Sequence, residues 1–251
     1  MVNAAYLLVS HGSRDARSQS AMADLAGLVA QQLRVTSTVP PLVEAAVLEL
    51  GEHPLHWQIE HMAQRAIAQG YGRLNIVPLF LLPGVHVMED IPHEVAIAEQ
   101  ALGSAIAITV CPYLGSHPHL ASLIALPTQA PLHAQRILIS HGSKRPQGNQ
   151  PIEAIAASLN AIAAYWSVPP SLEAQVAQVV MQGCQHIAVL PYFLFPGGIT
   201  DAIAQQIEAI GQQYPYVRFY NSTPIGTSVA LADMVLSMAR SPIPDVDFAY
   251  P

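Results

Sequence analysis

Residues Tyr6-Leu-Leu-Val-Ser-His-Gly-Ser13 return almost unchanged as Arg136-Ile-Leu-Ile-Ser-His-Gly-Ser143. Each is an apolar run closed by Ser-His-Gly-Ser, the pattern of a strand buried on both faces that ends in a tight turn. Further on, Ile76-Val-Pro-Leu-Phe-Leu-Leu-Pro-Gly84 is echoed by Val189-Leu-Pro-Tyr-Phe-Leu-Phe-Pro-Gly197. A repeat of this length means two copies of one folded unit. The copies differ where chemistry would sit: His86 follows the first Pro-Gly, and Ile199 stands at the matching place in the second. A shared scaffold is expected, with a full set of reactive side chains in the first copy alone.

Working outward, short apolar runs alternate with longer amphipathic ones, as in βαβ units on a parallel sheet. In the first copy, strands are expected at 4–10, 42–49, 73–82 and 105–111. Helices are expected at 18–34, 54–69 and 91–101, and a last one from about 118. In the second, strands fall at 136–140, 186–195 and 216–221. Its helices fall at 150–165, 171–183, 200–213 and 227–239. The fold class is α/β: two tandem flavodoxin-like domains, each a parallel four-stranded sheet flanked by helices. The first spans 1–126 and the second 135–251, joined by the proline-containing connector 125–134. His11 and His141 are 130 positions apart, but Gly70 and Gly183 only 113, so the second copy is 17 residues shorter in between. The loss is about the size of 41–55, which carries strand 2 and Glu49, and that stretch is expected to be missing. The tail 241–251 reads as frayed or loosely docked.

Half of the 251 residues are apolar (51%) and 11% are charged, enough for a large core. A net charge of −7 argues against a nucleic-acid partner. The first residues have neither the charged start of a signal peptide nor the length of a membrane span, so no membrane is expected. Cys111 and Cys184, far apart in sequence, make no disulfide framework and fit a reducing, cytoplasmic setting. There is no Cys-x-x-Cys, His-Glu-x-x-His, Gly-x-Gly-x-x-Gly or P-loop lysine, which sets nucleotide-driven mechanisms aside.

In a doubly wound sheet, ligands bind beyond the carboxyl ends of the strands where strand order reverses. With order 2-1-3-4, His11 caps strand 1, Glu49 ends strand 2 and His86 follows strand 3, so all three should meet at one sheet edge. Two imidazoles and a carboxylate suit a borderline divalent ion and also suit proton removal near neutral pH. Glu44 and Glu52 compete with Glu49 for the acid's place. Asp90, just before Ile91-Pro92, reads first as an acid serving a helix N-terminus. His117-Pro-His119 either lines a pocket rim or begins a helix. His53, His56 and His61 fall on helical spacing and face solvent or the domain interface. Arg14 and Arg17 follow the first Ser-His-Gly-Ser, Lys144 and Arg145 the second. With Ser13 they suit a carboxylate-bearing ligand or serve plain surface solubility.

The strand-His-Gly-Ser-Arg opening, Val47-Leu-Glu-Leu50, the Val-Pro-Leu-Phe-Leu-Leu run and His86-x-x-x-Asp90-Ile-Pro92 together resemble the class II tetrapyrrole chelatases, specifically the two-domain sirohydrochlorin type. The resemblance covers nearly the whole chain. It implies ATP-independent insertion of Co2+ or Fe2+ into sirohydrochlorin, for siroheme or cobalamin synthesis, by a cytoplasmic monomer or homodimer. No cofactor would be permanently bound, and the metal would be a substrate. His11 and His86 would act at the metal, with Glu49 assisting. The second copy, lacking the second histidine, would be a degenerate chelatase-like repeat. Two other readings use the same residues. A carrier would hold metal or tetrapyrrole stoichiometrically without turnover. A phosphohistidine enzyme would need an arginine immediately before the histidine, where Ser10 stands. A degenerate interaction protein is disfavoured, because the first copy keeps every reactive position.

Overall fold

The apolar runs pair in parallel, as their lack of polar alternation requires. The computed structural model describes residues 3–36 and 39–240; the tail 241–251 lies outside the described residues. One sheet has the order β2-β1-β3-β4, from strands β1 Ala4–Ser10, β2 Val43–Val47, β3 Arg73–Pro78 and β4 Ala107–Val110. Helices α1 Ala16–Thr36, α2 Leu55–Ala68 and α3 Ile91–Leu102 connect them. The inward residues of β1 and β3 (Leu7, Val9, Leu74, Ile76) pack with Ile59 and Met62 of α2 and Ile91 and Val95 of α3. α1 covers the other face.

The second sheet repeats the order as β6-β5-β7-β8, from β5 Gln135–Ser140, β6 Ala161–Tyr165, β7 His186–Pro191 and β8 Arg218–Asn221. Its helices are α4 Gln150–Ser158, α5 Leu172–Met181 and α6 Gly198–Gln213. Ile137, Ile139, Val176, Val189, Ile203 and Ile207 centre its core.

Three expectations are corrected. First, the second copy keeps its strand 2: β6 occupies 161–165, where a helix over 150–165 was expected. Asn160, in the left-handed region at φ +50, breaks α4 off. The run Ala161-Ile-Ala-Ala-Tyr165 then pairs with β5, because a buried parallel ladder outweighs alanine's helix propensity. Second, the shortening therefore lies elsewhere. Val47 and Tyr165, both at the end of strand 2, are 118 positions apart. Twelve residues are thus lost before that strand and five after it. The first helix absorbs the larger loss, with 21 residues in α1 against nine in α4.

Third, no long helix follows β4. Only the short 3-10 turns Leu114–Ser116 and Leu120–Leu123 form. The surface such a helix would cover is taken by the last helix of the chain, α7 Val229–Arg240, which lies against α1 and β3. α7 buries Leu231, Val235 and Met238, and Thr227 at its approach donates its hydroxyl to the Ala21 carbonyl. The repeat boundary and the packing boundary therefore differ. One compact unit, the first lobe, runs to Leu120 and takes back the chain from Thr227; the second lobe spans Ala121–Gly226.

His117 holds α7 to this lobe. Its Nδ1 accepts the His119 backbone N–H at 3.2 Å, so Nε2 carries the proton and donates to Ser237 Oγ at 3.1 Å. The Ser237 hydroxyl in turn donates to the Met234 carbonyl. Burial first, and then the neighbouring His119, hold the His117 pKa below the ordinary 6.5. A depressed histidine pKa means that the unfolded chain takes up the proton more readily, so this contribution is complete above pH 6.5 and is lost as pH falls below it. On going from about pH 7.5 to about pH 5.5, amide exchange in α7, corrected for intrinsic rates, should accelerate relative to α2. His117→Gln should abolish that difference; an α7 whose protection ignores pH would contradict the latch.

Candidate metal centre

Parallel pairing brings the carboxyl ends of β1, β2 and β3 to one edge. The β1–β2 ladder then runs past the strand ends: Leu48 donates to the Ser10 carbonyl and Glu49 to the His11 carbonyl, each at 2.9 Å. This places Glu49 beside His11. On the other flank, Leu79 donates to the Val9 carbonyl at 2.7 Å, and the chain continues through Pro83-Gly84 into a π-helical turn, His86–Asp90. His86 is the first residue of that turn.

His11, Glu49 and His86 converge. One ligand atom from each lies within 4.8 Å of the others. His11 Nε2 is 3.7 Å from Glu49 Oε2, and the two imidazoles meet edge to face with centroids 4.8 Å apart. His11 directs Nδ1 toward the Gly12 carbonyl at 3.4 Å, which leaves Nε2 for the cluster. The His11 and Glu49 side chains are 50% and 52% exposed and that of His86 32%, so an incoming ion or macrocycle can reach them.

Of the three acids open for the site, Glu49 is the one that faces His11. Glu44 pairs with Arg65 of α2, and Glu52 is exposed on the loop leading to α2. Asp90 departs from the expected cap. Its own backbone is helical (φ −68°, ψ −48°), it makes no side-chain capping bond, and its Oδ2 lies 2.7 Å from His86 Nδ1. The spacing of four between His86 and Asp90 was the available sign of this contact. His56 was likewise expected to face solvent or the domain interface. Instead Glu94 Oε2 accepts both its backbone N–H, at 2.7 Å, and its ring Nδ1, at 2.8 Å, tying α2 to α3. His53, Trp57 and His61 stack along α2 with centroids 3.8 and 3.7 Å apart.

The polar turn residues differ in what they have left to offer. Ser13 Oγ accepts the Asp15 N–H at 3.1 Å and so shapes the turn. Arg17 is engaged with Asp15 through two bonds of 3.1 and 2.7 Å, and these bonds lower the Asp15 pKa. Arg14 is exposed. Lys144 and Arg145 are exposed on the equivalent turn of the second lobe. There His141 keeps its place, Ser167 matches Glu49 by donating its backbone N–H to the His141 carbonyl at 2.9 Å, and Ile199 packs against the core.

Gly12 allows the close approach. It sits at φ +104, and a Cβ there would fall 2.0 Å from the Glu49 carbonyl oxygen. Gly12→Ala must push the Glu49 loop away and pay for a left-handed alanine as well. It is expected to destabilise the protein by at least about 1 kcal/mol in urea denaturation and to weaken Co2+ binding. Unchanged stability and affinity would show that the loops do not depend on this contact.

The CbiX family model matches residues 5–126 and 135–241. A sirohydrochlorin ferrochelatase of Priestia megaterium is 26% identical over 219 residues, covering 82% of this chain and 79% of its own length. A sirohydrochlorin cobaltochelatase of Methanocaldococcus jannaschii is 34% identical over 95 residues, 38% of this chain and 60% of its own. In structure, the sirohydrochlorin chelatase SirB of Bacillus subtilis subspecies spizizenii, solved in complex with cobalt, superposes with a TM-score of 0.71 at 24% identity over 94% of both chains. That likeness establishes the shared fold. With both repeats matched by the same family model, the chain belongs to the CbiX family.

Proposed function

We propose that this protein is a sirohydrochlorin chelatase, inserting Co2+ or Fe2+ into the macrocycle without ATP on the way to siroheme or cobalamin. The observation that carries the reading is the convergence of His11, Glu49 and His86 in a half-exposed cluster at the switch point of the first sheet. Two neutral imidazoles and one carboxylate bind a borderline divalent ion without enclosing it, and that ion must leave again with the product.

Insertion exchanges two pyrrole N–H protons for one metal ion, so the site must hold the cation and then accept protons. Imidazole does both near neutral pH, because it is either a ligand or a base according to its protonation. His11 and His86 hold the ion. As ring nitrogens take over coordination, each freed imidazole takes a pyrrole proton, with Glu49 adjacent to His11 to pass it to solvent. Arg14, exposed on the first-lobe turn, is the cationic side chain we assign to the substrate's carboxylates. Ser13 orders the turn, and Arg17 joins only by giving up Asp15.

All three ligands come from one lobe, so no second chain is needed to complete the site, in keeping with a monomer or homodimer. The second lobe is read as a degenerate repeat. Cys111 and Cys184 are free thiols, in keeping with a reducing cytoplasm; burial pushes the Cys111 thiol up to about 12. Among the described residues no helix is long and apolar enough to cross a membrane.

The test is anaerobic metallation of sirohydrochlorin, followed by absorbance, with Co2+ and Fe2+ in turn. His11→Ala and His86→Ala should each slow insertion by about 100-fold or more, while His141→Ala stays near the parent rate. Many macrocycles metallated per chain mark an enzyme, whereas one per chain marks a carrier. Full activity in either lobe-one histidine variant removes the assignment.

A further inference from the structure

The His86–Asp90 contact has a counterpart that isolates its role. Positions 86, 90 and 94 lie four apart along one stripe and carry His, Asp and Glu. The offset of 113 that relates Pro78 to Pro191 sets Ile199 at the place of His86. Past the π-helical turn the buried faces lie 112 apart, Ile91, Val95 and Ala98 in α3 against Ile203, Ile207 and Ile210 in α6, so Asp90 and Glu94 match Ala202 and Gln206. The second helix forms and packs with neither carboxylate. The aspartate is absent where the histidine is absent, which is what a residue kept for the histidine would do and a residue kept for the helix would not. The helix has no evident use for it either, since Asp90 makes no capping bond.

The chemistry of the contact is directional. An ionised carboxylate only accepts, so at 2.7 Å His86 Nδ1 must carry the hydrogen and donate it to Asp90 Oδ2. A neutral imidazole has one N–H, so Nε2 then holds the lone pair. Free imidazole distributes its proton between both nitrogens and turns about its χ angles; a carboxylate bound to one nitrogen fixes both the tautomer and the ring plane. Asp90 is itself held at the junction of the π-helical turn with α3, and Glu94, one step along the stripe, fastens α3 to α2 through His56.

We propose that Asp90 is a positioning residue for metal capture: through its bond to His86 Nδ1 it presents the Nε2 lone pair of His86 to the space shared with His11 and Glu49. Asp90 does not touch the ion, and its part in the reaction runs through His86. The proposal rests on the metal-site reading of His11, Glu49 and His86, and it adds a residue which that reading does not require.

The experiment measures Co2+ binding without tetrapyrrole, by calorimetric titration, for the parent protein, Asp90→Ala, Asp90→Asn and His86→Ala. Imidazole 15N spectra of the metal-free proteins, at a pH where histidine is neutral, accompany it. Asp90→Ala should weaken Co2+ binding by about 10- to 100-fold and shift His86 toward the Nε2–H tautomer. In turnover, KM for the metal should rise while KM for sirohydrochlorin stays. Asp90→Asn keeps the volume and so guards against a folding defect. Its amide can offer N–H as well as oxygen to Nδ1, so it should loosen the tautomer in the same direction. Parent-like affinity and parent-like His86 15N shifts in both Asp90 variants overturn the proposal. If His86→Ala also binds Co2+ like the parent, the metal-site reading itself has failed. If His86→Ala loses binding and the Asp90 variants keep it, only the role of Asp90 has failed.

Discussion

Two backbone hydrogen bonds carry the architecture of the site: Leu48 N–H to the Ser10 carbonyl and Glu49 N–H to the His11 carbonyl. They extend a parallel ladder beyond the point where both strands stop, so loops that would otherwise diverge leave the sheet side by side. Gly12 is the steric condition for this. Any side chain there would collide with the carbonyl of Glu49. Once the first two loops are joined, the third residue of the cluster follows from topology. β3 lies on the other side of β1, and the chain leaving it delivers His86 over the same edge.

The second lobe repeats the constraint with different contents. Trp166 donates to the Ser140 carbonyl and Ser167 to the His141 carbonyl, each at 2.9 Å, and Gly142 again has positive φ. Sheet order and ladder extension survive, while Glu49 becomes Ser167 and His86 becomes Ile199. Burying an isoleucine contributes roughly 1.5–3 kcal/mol relative to leaving it exposed. Ile199 therefore gives the second lobe apolar packing that His86 denies the first. The first lobe recovers order through specific contacts, His86 with Asp90 and His56 with Glu94. Its remaining open face is covered by α7, a helix from the other end of the chain.

Much of this was legible in the sequence, because the relevant signals are local and doubled. The octapeptide at 6–13 and its copy gave away the first strand and turn of each lobe, and the apolar runs gave the parallel sheets. The strand order then placed His11, Glu49 and His86 together although the histidines lie 75 positions apart. What stayed hidden was non-local or contrary to propensity. Ala161–Tyr165 is helix-favouring in composition and becomes a strand only through pairing with β5. The docking of α7 on α1 depends on packing across more than 200 residues of sequence, marked by the bond from Thr227 to Ala21. Asp90 beside a helix N-terminus had an ordinary explanation available, and only the geometry shows its carboxylate turned to His86 instead.

The central claim is that one lobe alone, through the imidazoles of His11 and His86, gathers a divalent ion. Crystals soaked in Co2+ and measured at the cobalt edge test it most directly. The account predicts a single anomalous peak per chain, at about 2.0–2.2 Å from a ring nitrogen of both histidines, and none at His141. A peak elsewhere, or equal peaks at the two Ser-His-Gly-Ser turns, would contradict it.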